Sequence, residues 1–147
     1  KRLTFYSSSA GTDATQVLTN YTLSTAVWTH VAVIYTASAG TAELVVDGVS
    51  VATQSGHTTS LFDGTANFEV GAYNGGTAIF DGLIDDVRIW NTARTVTQIN
   101  DNKSTEIDSA TNLQGSWHLN NVLTDSSGNG NTLTNNGTAV FSTDVPF

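Results

Sequence analysis

Residues 28–53 read WTHVAVIYTASAGTAELVVDGVSVAT, and the order of apolar runs and turn residues here decides the fold class. Side chains alternate along an extended chain. His30, Ala32, Ile34 and Thr36 therefore share one face, and Val31, Val33 and Tyr35 share the other. Both faces are largely apolar, which predicts a central strand covered on two sides. ASAG then turns the chain and TAELVV returns. Asp47-Gly48, set between two Val-rich runs, predicts a two-residue type I′ hairpin, because both residues tolerate the positive φ that this turn demands.

The same grammar continues outward. ANFEVGAY (66–73) reads as a strand, NGG (74–76) as a turn, and AIFDGLIDDVRIW (78–90) as a further strand region. Turn signals every eight to twelve residues, roughly, predict an all-β antiparallel sandwich of jelly-roll type. One short helix is expected over TVTQIND (95–101), with Thr95 as its cap and Val96 and Ile99 turned toward the sheet. The C-terminal third, LQGSWHLNNVLTDSSGNGNTLTNNGTAVF (113–141), reads as two or three short strands around a Gly/Asn-rich loop. Neither an internal repeat nor a dividing linker is visible, so residues 1–147 are expected to form one domain.

Composition narrows the class of partner. Only 12% of residues are charged, the formal net charge is −8 and the pI is near 4.4. That balance argues against nucleic acid and anionic membrane, and is compatible with divalent cations, neutral sugars or basic surfaces. Cys is absent and Lys is scarce while Thr, Ser and Asn abound, a usage that points to an exported bacterial protein, secreted or at the cell surface. No stretch approaches the ~20 apolar residues of a membrane span.

One segment breaks the pattern. In FDGLIDDVRIWNTAR (80–94), Asp85 and Asp86 sit side by side within an apolar run. Strict alternation would turn one of them toward the core, where an unpaired carboxylate is costly. A bulge at the pair would reset the parity, turn both Ile84 and Val87 inward, and bring the carboxylates to the strand's edge. Their charge then needs a partner, either Arg88 on the same strand or a calcium ion, which takes six to eight oxygen ligands. TDSSGNGN (124–131) is the best source of the remaining oxygens, through Asp125, Asn129 and Asn131, with Gly128 and Gly130 free to curl the backbone. Asx-rich loops also bond their own backbone and bind nothing, so both outcomes stand at this level.

The 28–53 stretch, FDGLIDDVRIWNTART and the LQGSWHLNN…TDSSGNGNTLTNNGT region together resemble the laminin G-like members of the concanavalin A-like lectin/glucanase superfamily. The likeness runs over most of Trp28 to Thr138. It implies two packed antiparallel sheets, frequent structural calcium, and membership among carbohydrate-binding modules and adhesive repeats of exported bacterial proteins. By this resemblance Asp85 and Asp125 are the leading calcium ligands, with Asp86, Asn129 and Asn131 beside them. The resemblance further implies an opening strand pair ahead of LTFYSSS (3–9). The chain is therefore expected to lack its first strands, which another segment or chain would supply.

Trp28, Trp90 and Trp117 lie in or beside apolar strand motifs and are read as core. Tyr73, next to the NGG turn, and Phe62, in SLFDG, are expected at the surface. Asp63, Tyr73 and Asn74 form the expected ligand rim, since sugar recognition needs polar groups around an aromatic face. His30 is read as core, His57 as solvated and His118 as lacking an identifiable partner; scattered histidines without Cys argue against zinc. Glu43, Glu69 and Glu106 are the only glutamates, and none is read as one of a pair of acids alternating along a strand. Glycoside hydrolysis needs two positioned carboxyl groups, so catalysis is not expected. The reading is a non-catalytic, lectin-like module that binds glycan, or alternatively an adhesive or spacer module that meets a surface protein.

Overall fold

The central hairpin forms as its turn chemistry demands. β3 (Val31–Thr36) and β4 (Thr41–Val46) pair antiparallel in unbroken register from Val31↔Val46 to Thr36↔Thr41, around a 3₁₀ turn at Ala37–Ala39. β4 then pairs with β5 (Val49–Ser55) across Asp47-Gly48, whose φ values of 49° and 81° are those of the type I′ turn. Gly48 is needed twice over, since a Cβ there would also lie 2.3 Å from Asn100 Oδ1. The computed structural model describes residues 2–12, 15–73 and 75–147 of the chain.

Strand order in this sheet is β3-β4-β5, so β4 is central and β3 is an edge strand among the described residues. This corrects the expectation of a central strand at 28–36. Ile34 is buried, but Val31 and Val33 on the opposite face are exposed, and the strand begins only at Val31. β4 takes the central place, with Ala42, Leu44 and Val46 buried on one face and Val45 on the other.

A second layer, β1 (Arg2–Ser7) paired with β2 (Thr15–Thr22), packs on this sheet. Leu3 and Phe5 from β1, with Tyr35, Val51 and Ala52 from the sheet, pack against Ala42 and Leu44. Burying an aliphatic side chain such as Leu44 is worth about 1.5–3 kcal/mol. The helix α1 (Val96–Asn102) lies against β5. Thr95 and Gln98 exchange a capping box, with Gln98 N–H on the Thr95 hydroxyl at 3.1 Å and Thr95 N–H on Gln98 Oε1 at 3.0 Å. Val96 and Ile99 are half-buried, as their spacing predicts.

The chain divides into two compact units, Lys1–Thr65 with Ala93–Lys103, and Ala66–Thr92 with Ser104–Phe147. The elements above belong to the first. In the second, β6 (Ala72–Tyr73) pairs with β7 (Ala78–Ile79), and β8 (Val87–Trp90) pairs with β9 (Leu113–Trp117). The strand expected over 66–73 is thus only two residues long, and much of 78–90 is irregular. Trp117 is buried and its ring lies over Gly115, where a Cβ would stand 2.3 Å from the ring. Phe68 stacks on it with centroids 5.4 Å apart. The architecture is all-β and antiparallel with one short helix among the described residues, and no helix there is long and apolar enough to cross a membrane.

Candidate functional site

The acidic pair stands at the entrance to β8 rather than in its middle. Asp86 holds φ at 49°, a left-handed conformation that an L-residue adopts at a cost, and this re-aims the chain just before Val87. Val87 is half-buried, but Ile84 is 37% exposed, so the inward turn expected of Ile84 does not occur. The twist faces the Asp86 carboxylate onto Arg88. Arg88 Nε donates to Asp86 Oδ1 at 3.0 Å, and its Nη2 donates to Asp86 Oδ2 and to the carbonyl of Thr105. Both side chains are nearly buried, at 11% and 7% exposed. A bidentate pair of this kind is the strong form of a charge-assisted bond.

Asp85 has a different environment. Burial pushes its carboxyl above the ordinary value, and the charges of Asp86 and Glu106 push the same way, against the Asp86 N–H and the nearby His118. His118 is itself buried at the end of β9. Its Nε2 lies 3.1 Å from Asp108 Oδ1, and a carboxylate only accepts, so Nε2 carries the proton. Its Nδ1 faces Glu106 Oε2 at 3.6 Å and Asp86 Oδ1 at 3.8 Å. The expectation that His118 lacks a partner is corrected: three acids drawn from two chain segments surround it. None of them is near it in sequence, so spacing gave no signal.

The 124–131 loop closes on β9 through its side chains. Asp125 Oδ1 accepts the N–H of Ser116 at 3.0 Å and of Ser127 at 2.9 Å, while Oδ2 accepts the N–H of Asn131 at 2.9 Å. Burial raises the Asp125 carboxyl, but the Ser116 N–H, the Ser127 hydroxyl and the N–H groups of Asn131 and Ser127 outweigh it and hold the pKa at about 2. Asn129 Nδ2 donates to the Leu113 and Gln114 carbonyls at 2.9 and 3.2 Å, and Asn131 Nδ2 donates to Gln114 O at 2.8 Å. Trp117 Nε1 returns a bond to Asn131 O at 2.7 Å. The structure thus brings Asp125, Asn129 and Asn131 together on β9, with protein groups as partners, and pairs Asp86 with Arg88. Among the described residues no group of three or more His, Cys, Asp or Glu is placed to hold a metal ion.

The expected ligand rim is distributed over both units. Asp63 is an exposed loop residue of the first unit, and Asn74 lies outside the described residues. Tyr73 belongs to the second unit, where it is 73% exposed at the end of β6. The exposed Glu69 carboxylate, which sequence reading passed over as an isolated acid, accepts the N–H of Gly75 through both oxygens, at 2.9 and 3.2 Å. Thr77 Oγ1 donates to the Tyr73 carbonyl at 3.1 Å. Tyr73, Glu69 and Thr77 thereby sit on one hairpin. In the first unit Phe62 is exposed as expected, whereas His57, read as solvated, is buried with its Nδ1 2.7 Å from Ser7 Oγ and its ring against Phe5 and Tyr35.

These strands and turns match a family model over residues 1–100, that of the concanavalin A-like lectin/glucanases superfamily. The chain belongs to this superfamily, in its laminin G-like branch. It is also similar to a crystal structure of an S-layer domain-containing protein from Clostridium thermocellum, at 22% identity and a TM-score of 0.43. That alignment covers 60% of this chain and 44% of the other, so this chain spans less than half the length of its structural neighbour. None of the curated proteins compared with it matches.

Proposed function

We propose that this chain is a non-catalytic, lectin-like carbohydrate-binding module of an exported bacterial surface protein. The observation that carries the reading is Tyr73, 73% exposed on a short hairpin whose turn holds Thr77 and bonds the Glu69 carboxylate through Gly75 N–H. An aromatic face covers the C–H surface of a pyranose, and a carboxylate accepts from its hydroxyl pairs. Asn74, next to Tyr73 in the chain, would add a hydrogen-bonding group to the rim. The reading is non-catalytic because no strand among the described residues carries a glutamate with a second acid two positions along; Glu106 and Asp108 have that spacing but lie outside the strands, where both face His118.

Calcium enters this reading as a structural accessory. The side-chain oxygens of Asn129 and Asn131 and the carboxylate of Asp85 are the donors it would draw on, since Asp125 and Asp86 have protein partners. A bound ion stabilises the native state by mass action. The melting temperature should therefore rise with calcium over chelator, and an unchanged value removes the ion while leaving sugar binding to be judged separately. A glycan array with the full chain tests the sugar reading. Saturable binding that is lost in Tyr73→Ala is expected, and no binding across a broad panel overturns it.

A second reading, an adhesive or spacer module that meets a surface protein, is favoured by the apolar residues around the same hairpin. Ile79 is 76% exposed, and Phe80 and Leu83 are each 45% exposed. Apolar exposure of this kind marks protein contact surfaces.

A further inference from the structure

The charge of the chain is unevenly divided. The first unit holds four Lys or Arg against five acids, and the second holds Arg88 alone against eight acids. The second unit therefore carries −7 of the formal −8. Its one arginine is nearly buried against Asp86, and its one histidine, His118, is buried. A unit charged in this way repels anions and draws cations toward it.

The Tyr73 hairpin sharpens that preference. From Ala66 to Val87 the sequence has no Lys, Arg or His, while Glu69 and Asp81 are both exposed. A carboxylate only accepts, and Glu69 already takes the Gly75 N–H. Thr77 directs its hydroxyl proton to the Tyr73 carbonyl at 3.1 Å. Of the described side chains at this site, Tyr73 alone is left to donate to a ligand, so the rim favours a ligand rich in donors. An ammonium group offers three. Gly75 and Gly76, with φ of 67° and 88°, have open space where a Cβ would stand, so the turn beside Tyr73 lets a ring approach the backbone closely. Gly75 is two residues from Tyr73, at most about 7 Å along the chain. One sugar unit can therefore reach both the aromatic ring and the carboxylate held at Gly75.

We propose, on the sugar reading of this hairpin, that its ligand is a cationic glycan, an amino sugar whose amine is unacylated. The C–H face of the sugar lies on Tyr73, and its ammonium meets Glu69 in a charge-assisted hydrogen bond, with the aromatic ring adding a cation–π contribution. Glu69 is then the residue that sets specificity, and uronic or sulfated sugars are excluded by the charge of the unit.

Calorimetric titration of the full chain tests this with three probes in mildly acidic buffer, which keeps the amine protonated. The probes are a glucosamine oligosaccharide, its N-acetylated counterpart and a galacturonate oligosaccharide. The amine-bearing sugar should bind about tenfold tighter than the acetylated one, and the galacturonate should not bind. Glu69→Gln keeps an acceptor for Gly75 N–H and should narrow the preference to about twofold or less. Should that variant fail to fold, as circular dichroism would show, the parent chain decides: its preference for the amine should fall as salt rises. Equal affinity for the two glucosamine forms, tight binding of the galacturonate, a preference that survives Glu69→Gln, or one indifferent to salt overturns the proposal and leaves the lectin reading intact. A chain that binds none of the three sugars, but does bind a lysine-rich peptide, overturns both.

Discussion

In the β3–β4–β5 sheet, β3 and β4 pair residue for residue across six positions, and an Asp-Gly turn opens the β4–β5 ladder, which runs on to Thr41↔Ser55 past one register shift at Leu44/Val45. Between residues 85 and 131 the paired strands are short and a bulge interrupts them at Ile89/Trp90. There the polar side chains of Asp86, Asp125, Asn129 and Asn131 satisfy the backbone and the buried charge. The first region derives its order from apolar periodicity and turn chemistry. The second derives it from side chain to backbone bonds that substitute for a ladder. The difference should show in what each region can lose. The sheet should suffer most from a lost methyl group and the loop from a lost acceptor.

The largest expected effect is in the sheet. Leu44 is 3% exposed at the centre of its cluster. Leu44→Ala should cost about 2–5 kcal/mol in urea unfolding, through lost transfer energy and the cavity left behind. A cost well under ~1 kcal/mol would mean that the cluster is not the core of this unit.

Next comes the loop. Asp125→Asn leaves an amide with one oxygen where a carboxylate accepted three backbone N–H groups, and should cost about 1–3 kcal/mol. The pH dependence has a definite sign. The folded pKa of about 2 lies below the unfolded value of about 3.9, so the carboxylate contributes stability above the unfolded pKa and loses it as pH falls toward 2. In chelator-containing buffer the parent chain should lose stability between about pH 4 and 2 more steeply than the variant. Parallel curves would show that Asp125 does not anchor the loop.

The smallest effect separates the two adjacent acids. The Asp85 carboxyl is raised by burial and by its acidic neighbours, so its ionised form is disfavoured in the fold. A raised carboxyl pKa costs stability at neutral pH and ceases to do so as pH falls through it. Asp85→Asn should therefore leave stability at pH 7 unchanged or raise it by about 0.5 kcal/mol. A clear loss would give Asp85 a partner that the present geometry does not.

These expectations follow how legible each region was. Alternation in VAVIYT, the Asp47-Gly48 pair and the Thr95 cap are local signals, and the elements they predict are present. Local pattern does not reveal what covers a face. β3 therefore read as central although among the described residues it pairs with β4 alone and leaves Val31 and Val33 exposed. Of the candidate site, the Asp125, Asn129 and Asn131 cluster was legible because those residues are close in the chain. The oddity of Asp85-Asp86 was legible too, with Arg88 as one possible partner. His118 with Glu106 and Asp108, and His57 with Ser7, were not, because side chains that meet across separate segments leave no spacing to read. The weight of Glu69 was missed because its partner is a backbone N–H, which every residue but proline carries.

The assignment of Arg88 as the group that neutralises Asp86 can be tested most directly by a double-mutant cycle. Asp86→Asn and Arg88→Gln, singly and together, would be unfolded in chelator-containing buffer at pH 7. Asn tolerates the left-handed backbone at position 86, so the cycle isolates the ion pair from the turn. We expect each single change to be costly and the double change to cost less than their sum, with a coupling of about 1–3 kcal/mol. Additive losses would contradict the pairing and leave the charge of Asp86 to be balanced by something other than Arg88.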